Sequence, residues 1–177
     1  MIDLEASSVT PHSTPIEVAV AIWPGPSHPI EVWSSLIRPT QEWVLLGDWD
    51  DGSADLHGIA QAELQKGVPV ETAAPCLNTL AAPSAFSDAA SLDSHWIDKL
   101  FAAAGISRRF EILPFDLALA ELEAAQWYRQ RRFVERNAPR HRAADDATRL
   151  LRALARAINV DVHVIRHDLA APLPASR

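Results

Sequence analysis

The run Ile16-Glu17-Val18-Ala19-Val20-Ala21-Ile22-Trp23 constrains this chain more than any other segment. It is apolar and rich in β-branched residues, carries Glu17 as its only charge, and is closed by the turn signal Pro24-Gly25-Pro26-Ser27. A near-continuous apolar run of this length predicts a mostly buried strand, because a half-exposed strand would alternate. Its neighbours extend the pattern. Met1 to Glu5 is a short apolar and acidic segment, and Ile30 to Ile37 contributes Val32, Trp33, Leu36 and Ile37 before Pro39. Together they predict an antiparallel meander.

Beyond residue 58 the period changes. Residues 40–58 read as a loop rich in Asp and Gly. Helices are expected at 60–66, 71–81, 89–104, 117–137 and about 141–158, with short strands at 84–87 and 110–113. Residues 160–165 alternate weakly, and 170–177 read as a frayed tail. Three strands followed by alternating helices and short strands give an α/β domain with a mixed sheet. No internal repeat or linker divides the 177 residues, so the expectation is one domain over 1–158 and a C-terminal extension over 159–177.

Composition narrows the function classes. With 48% hydrophobic and 22% charged residues the chain is neither disordered nor fibrous, and its single cysteine, Cys76, excludes a disulfide framework. No apolar stretch approaches the ~20 residues of a spanning helix, and the N-terminus lacks the order of a signal peptide, so a cytoplasmic location is expected. Charge is segregated. The formal total is −7, yet Arg129 to Arg156 holds nine Arg against Glu135, Asp145 and Asp146, a local +6 that leaves −13 elsewhere. A basic segment of this kind is either a solvated helix face or a phosphate-holding patch.

Three acidic sites carry the chemistry. In a strand, Asp3 and Glu5 project from one face with Cα atoms about 6.5 Å apart, while Leu4 points the other way. Such a pair is repulsive unless a cation lies between the carboxylates, and hard divalent ions favour carboxylate oxygens. Asp88 and Asp93 fall where a short strand gives way to a helix, which is also ordinary helix-start chemistry. His141-Arg142-Ala143-Ala144-Asp145-Asp146 sets a histidine five residues before an acid at the entry of an Ala- and Leu-rich helix, with Asp145 read as facing solvent.

In this order, Asp3-Leu4-Glu5, Asp93, and His141 with Asp146 resemble the three motifs of the DEDDh, or DnaQ-like, 3′–5′ exonucleases. Pro15-Ile16-Glu17-Val18-Ala19 resembles the family's second strand, Leu36-Ile37-Arg38-Pro39 the end of its third, and Leu56-His57-Gly58-Ile59 its His-Gly-Ile segment. The resemblance spans residues 1–157. It departs at Ala6-Ser7-Ser8, where the family often has Thr-Thr-Gly, and at Asp88 and Leu92, where it has Asn and an aromatic residue.

The resemblance implies an RNase H-like fold: a mixed sheet of three antiparallel strands, then parallel strands, flanked by helices. It implies that Asp3, Glu5, Asp93 and Asp146 hold two divalent ions, Mg²⁺ or Mn²⁺, that His141 is the general base, and that Ser7 and His57 lie near substrate. The implied activity is hydrolysis of phosphodiester bonds from the 3′ end of single-stranded DNA or RNA. The Arg residues flanking His141 would hold the incoming polyanion. A non-catalytic RNase H-like module binding nucleic acid or protein is the alternative class, and a phosphoesterase of small nucleotides is a third. His163 and His167 form a weaker candidate metal pair, and Trp43 and Trp49 are read as packing residues. Nothing in the sequence argues for or against a homodimer.

Overall fold

The computed structural model describes residues 1–171. The last six residues of the expected tail, 172–177, lie outside the described residues. Three strands open the chain: β1 (Ile2–Ala6), β2 (Pro15–Ile22) and β3 (Ile30–Leu36), paired antiparallel in that order. Glu5 stands opposite Glu17, and Val20 stands between Ile2 and Trp33 in the register.

Alternation along β2 explains how it is covered. Val18 and Val20 enter one core layer, against helix α3 (Val70–Ala81) and helix α4 (Ala90–Ala104) through Ala73, Leu77, Ile97 and Leu100. Ala19 and Ala21 enter the opposite layer, against helix α7 (Ala143–Ala157) through Ala147, Leu150 and Leu151. Successive strand residues face opposite sides, so one apolar run serves two layers. The second face is lined by alanines, and α7 answers with Ala143 and Ala147, so the helix sits close to the strands.

Two further strands, β4 (Ser84–Ser87) and β5 (Glu111–Pro114), form a parallel pair, with β4 beside β1. Helix α4 connects them, as a parallel crossover requires. The fold is therefore mixed α/β, three antiparallel strands followed by parallel pairings and flanked by helices.

Several elements depart from the sequence expectation. The 40–58 segment contains two short helices, α1 (Gln41–Leu46) and α2 (Asp51–His57). Each is started by a local cap that hydrophobic periodicity does not register: Thr40 accepts from the Trp43 N–H and Asp50 from the Ser53 N–H. Residues 61–66 form a 3-10 helix. The helix expected over 117–137 is two helices, α5 (Phe115–Leu119) and α6 (Ala124–Arg136), the second restarted where Gln126 accepts from the Glu123 N–H. Leu117 is exposed and Phe115 is the buried anchor.

The C-terminal segment also does more than its weak alternation suggests. Strand β6 (Val164–Asp168) pairs parallel to β3 at the sheet edge, and Leu169 is completely buried in the first core layer. His167 stacks on Trp33 with ring centroids 4.8 Å apart and faces Glu31, which uses that histidine in strand packing. No helix among the described residues is long and apolar enough to cross a membrane.

Leu77 joins α3 to the sheet with no exposed surface. A Leu77→Ala variant is expected to lose about 2–5 kcal/mol of stability, read as a lower urea midpoint at unchanged slope.

Candidate metal centre

Strand β1 aims Leu4 into the first core layer, so Asp3 and Glu5 share the opposite, α7-facing side. Helix α7 brings Asp146 in its first turn, and the preceding loop brings His141. Asp93 comes from the first turn of α4, next to β4. All five line one cleft of about 450 Å³, together with Asp88, His57, Ser8 and Arg149. Ligand atoms of Glu5, His141 and Asp146 lie within 4.8 Å of one another, close enough for one ion. Asp3 and Asp93 stand in the same cleft outside that tight trio.

Each side chain is held by identifiable contacts. The Asp146 carboxylate accepts from the backbone N–H groups of Arg140 and His141, at 3.0 and 2.8 Å. That grip folds the loop back over the helix start and holds His141 at φ 54°. Left-handed backbone costs a non-glycine residue roughly 1–2 kcal/mol, so the two hydrogen bonds maintain a conformation the histidine would not adopt alone. Glu17, the lone charge in the apolar strand, receives Arg142 through two guanidinium contacts of 2.7 and 3.1 Å and the Ala143 N–H at 2.9 Å. It is thereby a buried, fully hydrogen-bonded acid that pins the start of α7 to β2. Asp93 accepts from the Ser87 hydroxyl, and the Leu4 backbone N–H on the β1 edge also stabilises its charge.

The electrostatics follow from a count. Asp3, Glu5, Asp88, Asp93 and Asp146 face one guanidinium, Arg149, so a fully ionised cleft would carry four uncompensated negative charges. Arg149 lies 3.2 Å from Asp88 and 3.5 Å from Asp146, the latter an ion pair without hydrogen-bond alignment. Burial first, then the like charges of Asp93, Glu5, Asp146 and Asp88, push the Asp3 carboxyl well above the usual range. Burial followed by Glu17, Asp146 and Asp93 pushes Glu5 up to about 8, with Arg142 opposing. Asp93 is pushed up to about 7, chiefly by burial, against the hydrogen bonds from Ser87 and Leu4. Carboxyls raised chiefly by burial and then by one another, with oxygen and imidazole donors around them, fit hard divalent cations such as Mg²⁺ or Mn²⁺.

The two residues expected near substrate have different surroundings. His57 lines the cleft and is 5% exposed; its Nδ1 accepts from the Ile59 N–H at 3.0 Å. In the neutral ring the proton therefore sits on Nε2, a buried donor with no hydrogen-bond partner among the described residues. Burial is also the main influence lowering the pKa of this imidazole. Ser7 does not line the cleft: its hydroxyl oxygen accepts from the Thr14 N–H at 2.9 Å and lies 3.2 Å from the Thr14 hydroxyl. Ser8 lines the cleft instead: β1 ends at Ala6 and the chain bends at Ser7, whose N–H donates to the Thr14 carbonyl. Trp43 and Trp49 pack against core clusters, Trp49 edge-on to His57, in keeping with a packing role.

Arg149 and Asp88 complete the site; sequence reasoning set Asp88 beside Asp93 at a strand-to-helix step without making it a ligand, and assigned Arg149 no role there. The signal for Arg149 was its position three residues after Asp146, on the same helix face. No family model matches the chain, and no curated protein matches it.

The raised carboxyls set a pH dependence. Between their ordinary values (3.8 for Asp93, 4.5 for Glu5) and about 7 to 8, the folded protein binds more protons than the unfolded chain. Their contribution to stability is full below the ordinary values and is lost as pH rises through about 8. In chelator, the melting temperature is expected to fall from about pH 5 to about pH 8. Glu5→Gln is expected to flatten that fall and to melt above wild type at the alkaline end. Added Mn²⁺ should raise the wild-type melting temperature most at the alkaline end, where the ligands are ionised.

Proposed function

We propose that this chain is a metal-dependent 3′–5′ exonuclease of the DEDDh type on an RNase H-like fold, releasing nucleoside 5′-monophosphates from single-stranded ends. One observation carries the reading: four acids and a histidine from distant segments, in the motif order of that family, line a single cleft whose negative charge is uncompensated. Asp3, Glu5, Asp93 and Asp146 would hold two divalent cations. When bound, such ions polarise a phosphoryl oxygen and offset charge on the departing oxygen.

The protein's own groups account for the remaining steps. A ring nitrogen of His141 accepts a proton from the attacking water as the water oxygen bonds to phosphorus. The bond from phosphorus to the 3′ oxygen of the penultimate nucleotide breaks, and that oxygen takes a proton from solvent. His57 Nε2–H is the donor available to an oxygen of the terminal nucleotide. Satisfying it on binding would remove the desolvation penalty of a buried, unmatched donor, about 1–3 kcal/mol. Arg142, held by Glu17, fixes the loop next to His141 and so positions the base.

A second role for His141 has its own support, since its ring lies within ligand distance of Glu5 and Asp146. Calorimetric Mn²⁺ titration separates the two. As a base, His141→Ala lowers kcat by about 10²–10⁴-fold with unchanged metal affinity. As a ligand, the same variant weakens metal binding.

The activity itself is tested with an oligonucleotide labelled at its 5′ end. Wild type with Mg²⁺ or Mn²⁺ is expected to give a ladder shortening from the 3′ end, abolished by chelator, while Glu5→Gln and Asp146→Ala give none. Hydrolysis at the wild-type rate by both variants would refute the reading.

A further inference from the structure

Asp146 and Arg149 line both the acid cleft and a second groove between α6, α7 and β6, whose walls carry Arg140, Arg152 and Arg166, the last paired with Asp145. That groove reaches Arg136, which also borders a surface depression on the outer face of α6. There, Trp127 is 42% and Tyr128 58% exposed. The Arg131 guanidinium lies 5.2 Å from the Trp127 ring centre and that of Arg132 lies 5.7 Å from the Tyr128 ring centre. Arg131 also pairs with Glu135. These aromatic rings do not serve the core. Helix α6 is anchored to α7 by other groups, among them buried Gln130 and Arg129, whose Nε–H donates to the Ala157 carbonyl.

We propose that these adjoining surfaces form a track for the single strand upstream of the scissile end, with phosphates held in the Arg groove and bases stacked on Trp127 and Tyr128. The proposal rests on the exonuclease reading for the direction in which the strand leaves the cleft. The occupant follows from the chemistry. The surface joins a row of guanidinium groups to two exposed aromatic rings, each with a guanidinium over one face, a set of groups that suits an unpaired, polyanionic strand. A duplex would hide the faces that Trp127 and Tyr128 are placed to meet. The rest of the chain is net acidic, so a polyanion is steered to this side.

The experiment compares wild type with Trp127→Ala/Tyr128→Ala and Arg136→Ala/Arg152→Ala double variants, the second pair taken from the groove. The first readout is fluorescence anisotropy in chelator, using a single strand of about fifteen nucleotides. The aromatic variant is expected to bind roughly tenfold or more weakly with little change in salt dependence. The arginine variant is expected to lose about 1.4 from the slope of log affinity against log salt, at about 0.7 per phosphate contact. In the second readout, with Mg²⁺, the ratio of kcat/KM for the long strand to that for a dinucleotide should collapse in both variants.

Wild-type binding and an unchanged length ratio in both variants would overturn the track while leaving the exonuclease reading intact. Aromatic-dependent binding of the long strand without hydrolysis of either substrate would support the track and remove the exonuclease reading. Binding of anionic phospholipid vesicles in place of the oligonucleotide would overturn it in favour of a membrane surface.

Discussion

Carboxyl groups crowded against too little positive charge are the constraint on which the rest of this molecule turns. Asp3, Glu5, Asp88, Asp93 and Asp146 share a cleft with one guanidinium, and three of them are pushed towards neutrality by burial and mutual repulsion. A core built for stability alone would replace such groups with apolar side chains, because unpaired buried charge is costly. Keeping them requires a scaffold rigid enough to resist their repulsion. The fold supplies it by placing one acid pair on a strand held between two core layers and Asp93 and Asp146 in the first turns of packed helices.

The anchoring of α7 shows how that scaffold is made. Glu17 sits on the alanine-lined side of β2, one strand away from Glu5, and like charges at opposed positions destabilise a sheet. Arg142 and the Ala143 N–H resolve the conflict by engaging Glu17, and in doing so they lock the start of the helix over the strands. Asp146 in turn holds the loop carrying His141. Each carboxylate oxygen of Asp146 accepts one hydrogen bond from backbone and retains a lone pair for a cation. The site is therefore continuous with the sheet through a chain of hydrogen bonds, and changes at Glu17 should be felt at His141.

Much of this was legible in the sequence because it depends on short-range rules. Alternation placed Asp3 and Glu5 together, and the apolar runs located β2 and β3. The switch from strand to helix set Asp93 at a helix entry, and the start of the last Ala- and Leu-rich helical stripe did the same for Asp146. What was hidden depends on long-range geometry. That Ser8 rather than Ser7 faces the cleft follows from the end of β1 at Ala6 and the capture of Ser7 by Thr14, seven residues on, which no local pattern encodes. The weak alternation before Val164 conceals a strand because β6 is a partly exposed edge with one deeply buried neighbour, Leu169. Arg149 looked like one arginine among nine, and only the approach of Asp88 from β4 gives it a second partner.

A short, net acidic chain carries both an acid cleft and an arginine track, and helix α7 shows how the two coexist. Asp145 and Asp146 occupy its first turn, where the helix dipole favours negative charge; Arg149, Arg152 and Arg156 follow towards its other end, where the dipole favours positive charge. The order that stabilises the helix thus separates the two fields. From Asp146 to Arg156 the helix rises about 15 Å at 1.5 Å per residue, while charges in physiological salt are screened over about 8 Å. The far arginines therefore do little to neutralise the carboxyls, which remain free to demand a cation. Only Arg149, one turn from Asp146, belongs to both regions, and its charge is shared between two acids rather than matched to either.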